Sequence, residues 1–242
     1  MRIVCISDTH SLHNGMVHKI PSGDVLIHSG DISNRGGEKD VTDFVHWFQN
    51  IEGFDTKIFI SGNHDFCFER VNEPHHKGDY DWLGNLISPE NSSQSNVTYL
   101  EDNFITIESP KFSRPIKFYG SPWQPEFYNW AFNLPRGEKL AEKWALIPND
   151  TDVLITHGPA HGMLDWLPSG TLVGCQDLFY KIMEIQPKIH VCGHIHCAYG
   201  QKYFNGVEFL NASVLDEQYQ HHNKPISLEF DNKEKKIVEY YL

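Results

Sequence analysis

The chain has 242 residues, 40% of them hydrophobic and 13% aromatic, which is enough for one substantial core and short for two full domains. Its formal net charge of −12 argues against long nucleic acid as a partner, because such binding rests on neutralising phosphates with lysine and arginine. No apolar run approaches the roughly 18 residues of a membrane helix, and no basic stretch precedes an apolar one at the N-terminus, so neither a membrane span nor a secretory leader is expected.

Taken in chain order, the strongest pattern is a short run rich in valine and isoleucine that ends in a polar cluster. Residues 2–7 run into Asp8, 24–30 into Asp31, 57–62 into Asn63, 152–156 into His157, and 188–193 into His194. Runs of this length, bounded by turn residues, predict strands buried on both faces. Each polar group then falls at the carboxyl end of its strand, where α/β sheets collect their ligands. A helix is predicted over 40–52, where Val41, Phe44, Val45, Phe48 and Ile51 share one face. Others are predicted over 135–147, with Leu140, Trp144 and Ile147, and over 175–186, which Pro187 closes. Segment 72–96 is polar and reads as a surface excursion with one short helix near 80–87. Further strands are predicted at 97–100, 104–108, 116–120, 207–211, 226–230 and 236–241. The chain is therefore mixed α/β, with no internal repeat and no interdomain linker.

Cysteines stand at 5, 67, 175, 192 and 197, an odd number without C-x-x-C spacing. They predict reduced, mostly buried thiols in a cytoplasmic protein rather than a disulfide framework or a zinc ribbon. The N-x-S/T patterns, including those at Asn91 and Asn211, read as chance occurrences without a secretory route.

The polar clusters themselves are D-T-H with Asp8 and His10, G-D with Asp31, G-N-H-D with Asn63, His64 and Asp65, T-H-G with His157, and G-H-I-H with His194 and His196. Carboxylate, imidazole and amide donors suit manganese, iron, zinc, cobalt or nickel better than calcium or a thiolate site. Seven donors, with His64 and Asp65 left aside, exceed what one tetrahedral zinc takes and match two ions that share a carboxylate. The glycines at 30, 62 and 193 fit close backbone approach beside a crowded site. Any one residue has a plainer explanation, since an aspartate after a strand is most often a turn or a helix cap. A cluster at the end of each of these strands makes a constellation.

In this order the blocks resemble the calcineurin-like metallophosphoesterase superfamily, over residues 8–196. The small size and the run THGPAHGMLDWLPSGTLVGC resemble its metallophosphoesterase-domain-containing, cyclic-nucleotide-phosphodiesterase-like subgroup. The resemblance implies a four-layer sandwich of two mixed β-sheets flanked by helices, as a single domain over 1–242. It implies that Asp8, His10 and His196 hold a first divalent metal ion, that Asn63, His157 and His194 hold a second, and that Asp31 bridges them, with manganese foremost among the candidate metals. It further implies that water activated by the ions attacks phosphorus in line with the leaving oxygen. His64 would stabilise the transition-state charge and serve the leaving group, and Asp65 would either orient His64 or act as a structural cap. The expected substrate is a small phosphodiester such as a cyclic nucleotide. The alternatives are a phosphomonoesterase or protein phosphatase, and a catalytically weak metal-binding scaffold. His13 and His161 follow closely on metal motifs and are candidates for contacting substrate. His28, His46 and His190 read as structural. The dense aromatics of 119–130 read as packing, with a stacking wall of the cleft as the alternative.

Overall fold

The structure, a computed structural model, describes residues 1–76, 78–88, 96–108, 114–231 and 236–241. The first sheet is built from β1 (Arg2–Ile6), β2 (Val25–Ser29), β3 (Thr56–Ile60), β4 (Val97–Tyr99), β13 (Ile226–Asp231) and β14 (Lys236–Tyr241), in the order β14-β13-β1-β2-β3-β4. Strands β1 to β4 are parallel, in registers such as Ile3 opposite Val25 and Ile27 opposite Ile58, while β13 and β14 run antiparallel. The second sheet uses β5 (Asn103–Ile107), β6 (Ile116–Ser121), β9 (Val153–Thr156), β10 (Ile189–Cys192), β11 (Gly200–Phe204) and β12 (Val207–Asn211), in the order β11-β12-β10-β9-β6-β5. Its centre is parallel and its two edge strands are antiparallel. A short parallel pair, β7 (Gln124–Pro125) and β8 (Asn133–Leu134), stands apart.

Alternation along the strands explains the layers. Ile3 and Cys5 of β1 point one way and Val4 and Ile6 the other, and all of them are buried. The first pair joins Ile27, Ile58, Phe118, Ile155 and Val191 in a core between the two sheets. The second pair packs outward with Leu26 and Phe59 against helix α1 (Glu38–Asn50), through its buried Val41, Phe44, Val45 and Phe48. The short helices α2 (Phe66–Arg70) and α3 (Asp81–Leu86) extend that outer layer with Phe68 and Leu83. On the opposite side, α4 (Glu138–Trp144) and α5 (Gln176–Ile185) lay Leu140, Trp144, Leu178 and Ile182 over Tyr119, Leu154 and Phe209. Each such fully buried side chain contributes roughly 1.5–3 kcal/mol. The result is the expected four-layer α/β arrangement of two mixed sheets flanked by helices.

The strand runs and the three long helical faces lie where the periodicity puts them. Three features escape it. Strand β11 is an edge strand with Tyr203 and Phe204 exposed, so it carries no buried stripe to read. The β7–β8 pair and α2 are too short for a period to register. Most of the polar NSSQSN run, including the Asn91 pattern, lies outside the described residues. Asn211 is buried and its amide donates to the Ile195 carbonyl at 2.8 Å, which leaves no room for a glycan there.

Candidate metal centre

The parallel strands β1, β2, β3, β9 and β10 all end at one edge of the sandwich. The two sheets are laced together at that edge, where Ser7 after β1 bridges to Ser213 after β12 and Val214 N–H donates to the Ser7 carbonyl at 3.0 Å. The residues that follow the strands turn sharply. Asp8, His10, Asp31 and His194 all have positive φ, between 42° and 66°, a region that side chains other than glycine seldom occupy. Strain of this kind persists only where the surroundings fix it, and it concentrates at functional sites. Glycine is required beside them. A Cβ on Gly62 would run into Asp31 and the His157 ring, and one on Gly193 into Asp8 and Ser7.

These turns bring the donors together from both sheets. Asp8, His10 and His196 form one three-donor group, Asp31, His157 and His194 a second, and His10, Asp31 and His64 a third that overlaps them, with the ligand atoms of each group within 4.8 Å of one another. His157 Nε2 lies 3.3 Å from Asp31 Oδ2 and 2.9 Å from Asn63 Oδ1. His196 Nε2 lies 3.4 Å from Asp8 Oδ1 and 3.4 Å from His10 Nε2, which is itself 3.5 Å from Asp31 Oδ2. Asp31 Oδ1 accepts the His64 backbone N–H, and Asp8 accepts that of His194.

The tautomers follow from the far side of the rings. His157 Nδ1 meets the Ser29 carbonyl at 3.0 Å and His196 Nδ1 meets that of Asp216 at 2.9 Å. A carbonyl only accepts, so both Nδ1 atoms carry a proton and both Nε2 atoms are the ones turned inward. Ring nitrogens facing buried carboxylates call for positive charge between them, whether a proton or a metal ion. The electrostatics agree. Burial raises the pKa of Asp8 and Asp31, but His196 beside Asp8 and His157 beside Asp31 outweigh it and hold both well below the usual carboxylate range. Burial opposes charge on His157 and His196, yet Asp31 and Asp8 lift each of them to about 9. His10 and His194, with burial dominant, fall to about 4 and about 3. A bound ion would displace the protons that Asp31 and Asp8 hold on His157 and His196, and two carboxylates, four imidazoles and one amide, none of them a thiolate, make a donor set that fits divalent transition metals.

The centre opens into a cleft of about 570 Å³. One wall is apolar, with Phe127, Tyr128, Leu167, Val173 and Tyr219, while Arg136, Glu126 and Glu217 bring charge.

Residues 1–198 match the family model described as calcineurin-like phosphoesterase. The chain belongs to the calcineurin-like phosphoesterase family. Members are typically metal-dependent hydrolases that bind two metal ions. The human metallophosphoesterase domain-containing protein 1 is 41% identical over 238 residues, covering 94% of this chain and 70% of that protein, and the mouse protein matches equally. A solved structure from Thermus thermophilus, TT1561, superposes with a TM-score of 0.58 at 12% identity over 99% of this chain and 97% of that one, which speaks to the fold.

Within this calcineurin-like centre the other sequence candidates fall differently. His64 faces the cleft. Its Nδ1 donates to the Asn34 carbonyl at 2.9 Å, and its ring stacks on Trp130 at 4.1 Å between centroids. Asp65 does not orient it. The Asp65 carboxylate is wholly buried and accepts the N–H groups of Gly62, Ile32 and Ser33 and the Ser33 hydroxyl, so it ties the turn after β3 to the turn after β2. Burial and the nearby Asp31 charge push its pKa up to about 7. His13 turns away from the cleft, because its ring packs on Phe44 and Trp47 of α1 and its Nε2 meets Asp43 at 3.1 Å. His161 sits 3.7 Å from Asp165, and neither ring lines the cleft. The sequence reading missed the carbonyls of Ser29, Asn34 and Asp216, which no residue type signals. It also missed Tyr219, whose ring edges against His10 and His196. Among the dense aromatics, Tyr119 and Trp123 pack inward while Phe127, Tyr128 and Trp130 line the cleft.

Proposed function

We propose that this chain hydrolyses phosphoesters with the help of two divalent ions, manganese foremost, and that its substrates are small phosphodiesters such as cyclic nucleotides. The observation that carries this reading is the convergence of Asp8, His10, Asp31, Asn63, His157, His194 and His196 from two sheets onto one buried centre. In it Asp8, His10 and His196 would hold one ion, Asn63, His157 and His194 the other, and Asp31 both. Bound ions supply Lewis acidity, a charge template for the phosphate and a lowered pKa for water.

The rest falls to the chain. Hydrolysis joins a water oxygen to phosphorus, breaks the bond to the leaving oxygen, and moves one proton onto that oxygen while another returns to solvent. With Nδ1–H committed to Asn34, Nε2 of His64 is the ring atom left to face the leaving oxygen, and as an imidazolium it donates the proton there. A diester is favoured over a monoester by the charge it brings. Among the described residues, Arg136 is the one lysine or arginine lining the cleft, and its guanidinium already donates to the carbonyls of Val173 and Gly174. Beyond the ions, the second negative charge of a monoester would meet Glu126 and Glu217 with Arg136 alone to offset it, whereas a diester carries one charge and has an organic group for the apolar lining. The free cysteines suit a reducing compartment such as the cytoplasm.

The test is metal analysis together with turnover. Wild type is expected to carry about two transition-metal ions per chain and to cleave members of a panel of 2′,3′-cyclic, 3′,5′-cyclic and aryl phosphodiesters in preference to a mononucleotide. Asp31→Asn is expected to lose at least one ion and cut kcat by about 10²-fold or more. Full activity in Asp31→Asn, or a metal-loaded wild type inactive on the whole panel, would sink the reading.

A further inference from the structure

A second cavity, of about 360 Å³, adjoins the metal cleft and shares Tyr128 and Trp130 with it, while Arg35 and Asn129 complete its lining. Its cation lies over an aromatic ring and not against an anion. The Arg35 guanidinium lies 5.4 Å from the centroid of the Trp130 ring and, among the described residues, has no carboxylate partner. Arg2 and Arg114, by contrast, pair with Glu229 and Asp152. On a chain of net charge −12, a planar guanidinium beside the cleft with no carboxylate partner among the described residues is a place for an anion.

The aromatic part of the cavity is held out deliberately. Tyr128 has φ of 49° and is 77% exposed. Asn133 braces this conformation. Its amide donates to the carbonyls of Tyr128 at 2.9 Å and Phe127 at 3.1 Å, and its own oxygen accepts from Gln124 at 3.2 Å. A large ring kept in water on strained backbone by a surrounding network is a preorganised stacking surface. The chain also connects this cavity to the chemistry. The carbonyl that fixes His64 belongs to Asn34, the residue before Arg35, and the His64 ring stacks on Trp130. The cavity therefore lies on the His64 side of the metal centre.

We infer that this cavity seats the leaving-oxygen side of the phosphodiester, and that the preferred diester carries there an aromatic ring and a second phosphate, as a cyclic nucleotide bearing a further phosphate would. The inference rests on the hydrolase reading, in which His64 serves the leaving oxygen. Tyr128 takes the ring, and Arg35 takes the second phosphate with its forked N–H groups.

Calorimetric titration of the manganese-loaded full chain tests it, with a nucleoside 3′,5′-bisphosphate and the matching 5′-monophosphate as probes. The bisphosphate is expected to bind about tenfold tighter to wild type. Arg35→Ala is expected to erase that preference, and Arg35→Lys to keep part of it, since the ammonium retains charge without the fork. Equal binding of the two probes by wild type, or a preference that survives Arg35→Ala, overturns the inference. A wild type that cleaves no diester would defeat the hydrolase reading, and the titration would still decide whether Arg35 binds the second phosphate.

Discussion

Asp65 shows how much one side chain can do without touching the reaction. Its carboxylate accepts four donors, at 2.7–3.1 Å, from two turns that each carry a metal-facing residue, Asp31 and Asn63. Asp65→Asn puts an amide nitrogen where one of those donors points, and leaves buried N–H groups short of an acceptor. The expected cost is about 1–3 kcal/mol, read as a lower denaturation midpoint at unchanged slope. Because the Asp65 carboxylate bonds Gly62, Ile32 and Ser33 while the His64 ring bonds Asn34, the pH profile of turnover is expected to keep its shape in this variant. A displaced profile would restore Asp65 as the partner of His64 and remove Asn34 from that role.

At the scale of an element, α1 shows a helix finished by another strand's side chain. Lys57 in β3 is 2% exposed, and its Nζ donates to the carbonyls of Phe48 at 3.0 Å, Gln49 at 2.5 Å and Ile51 at 2.8 Å. Those are the carbonyls a helix leaves unpaired at its C-terminus, where positive charge is also favourable. Burial lowers the pKa of this ammonium. Lys57→Met keeps the stem and removes the donors, so it is expected to destabilise by about 1–3 kcal/mol and to speed amide exchange in the last turn of α1 ahead of its first. Uniform exchange along α1 would deny the cap.

The same element marks the boundary of what a sequence discloses. Val41, Phe44, Val45 and Phe48 announce α1 because burial demands a 3.6-residue period, and the strand runs that end in Asp8, Asp31, Asn63, His157 and His194 announce the site because a two-sided core demands unbroken apolar residues. Lys57 announces nothing, since a lysine near the start of a strand reads as solvated. His13 misleads for the same reason. Its nearness to Asp8 and His10 in the chain says nothing about the direction of its ring, which the packing of Phe44 and Trp47 decides. Contacts set by period are legible, and contacts set by where two distant elements meet are not.

For the whole molecule, two histidines make the sandwich sensitive to acid. His28 in β2 and His190 in β10 are fully buried, and burial lowers each to about 3. His28 accepts from the Gly30 N–H and faces the Thr9 hydroxyl, and His190 faces the Thr156 hydroxyl, so both fold as neutral rings. In the unfolded chain they take up protons below about pH 6.5. Their contribution is therefore complete above that value and is lost as pH falls toward 3, by up to about 1.4 kcal/mol per pH unit for each ring. The difference in unfolding free energy between wild type and His190→Gln, measured from about pH 7 to about pH 4, isolates one of the two. It is expected to shrink as pH falls below about 6.5, and a constant difference would mean that His190 is protonated in the fold.

The proposed metal centre would join the two sheets as well as serve chemistry. Asp8, His10, Asp31 and Asn63 follow strands of the first sheet, whereas His157, His194 and His196 follow strands of the second. Divalent ions held by both sets would cross-link the sandwich at that edge and favour the folded state by mass action. With free metal about a thousandfold above its dissociation constant, one ion adds about 4 kcal/mol, or roughly 8–16 °C in melting temperature for a chain of this size. Chelation is expected to remove that increment from wild type and to leave a much smaller change in Asp31→Asn, which lacks the shared carboxylate. The denaturant slope is expected to stay constant through the treatment, because the apolar core between the sheets remains intact without the ions. Equal melting temperatures with and without chelator would mean that the seven donors meet without holding a cation, and the hydrolytic reading would fall with them.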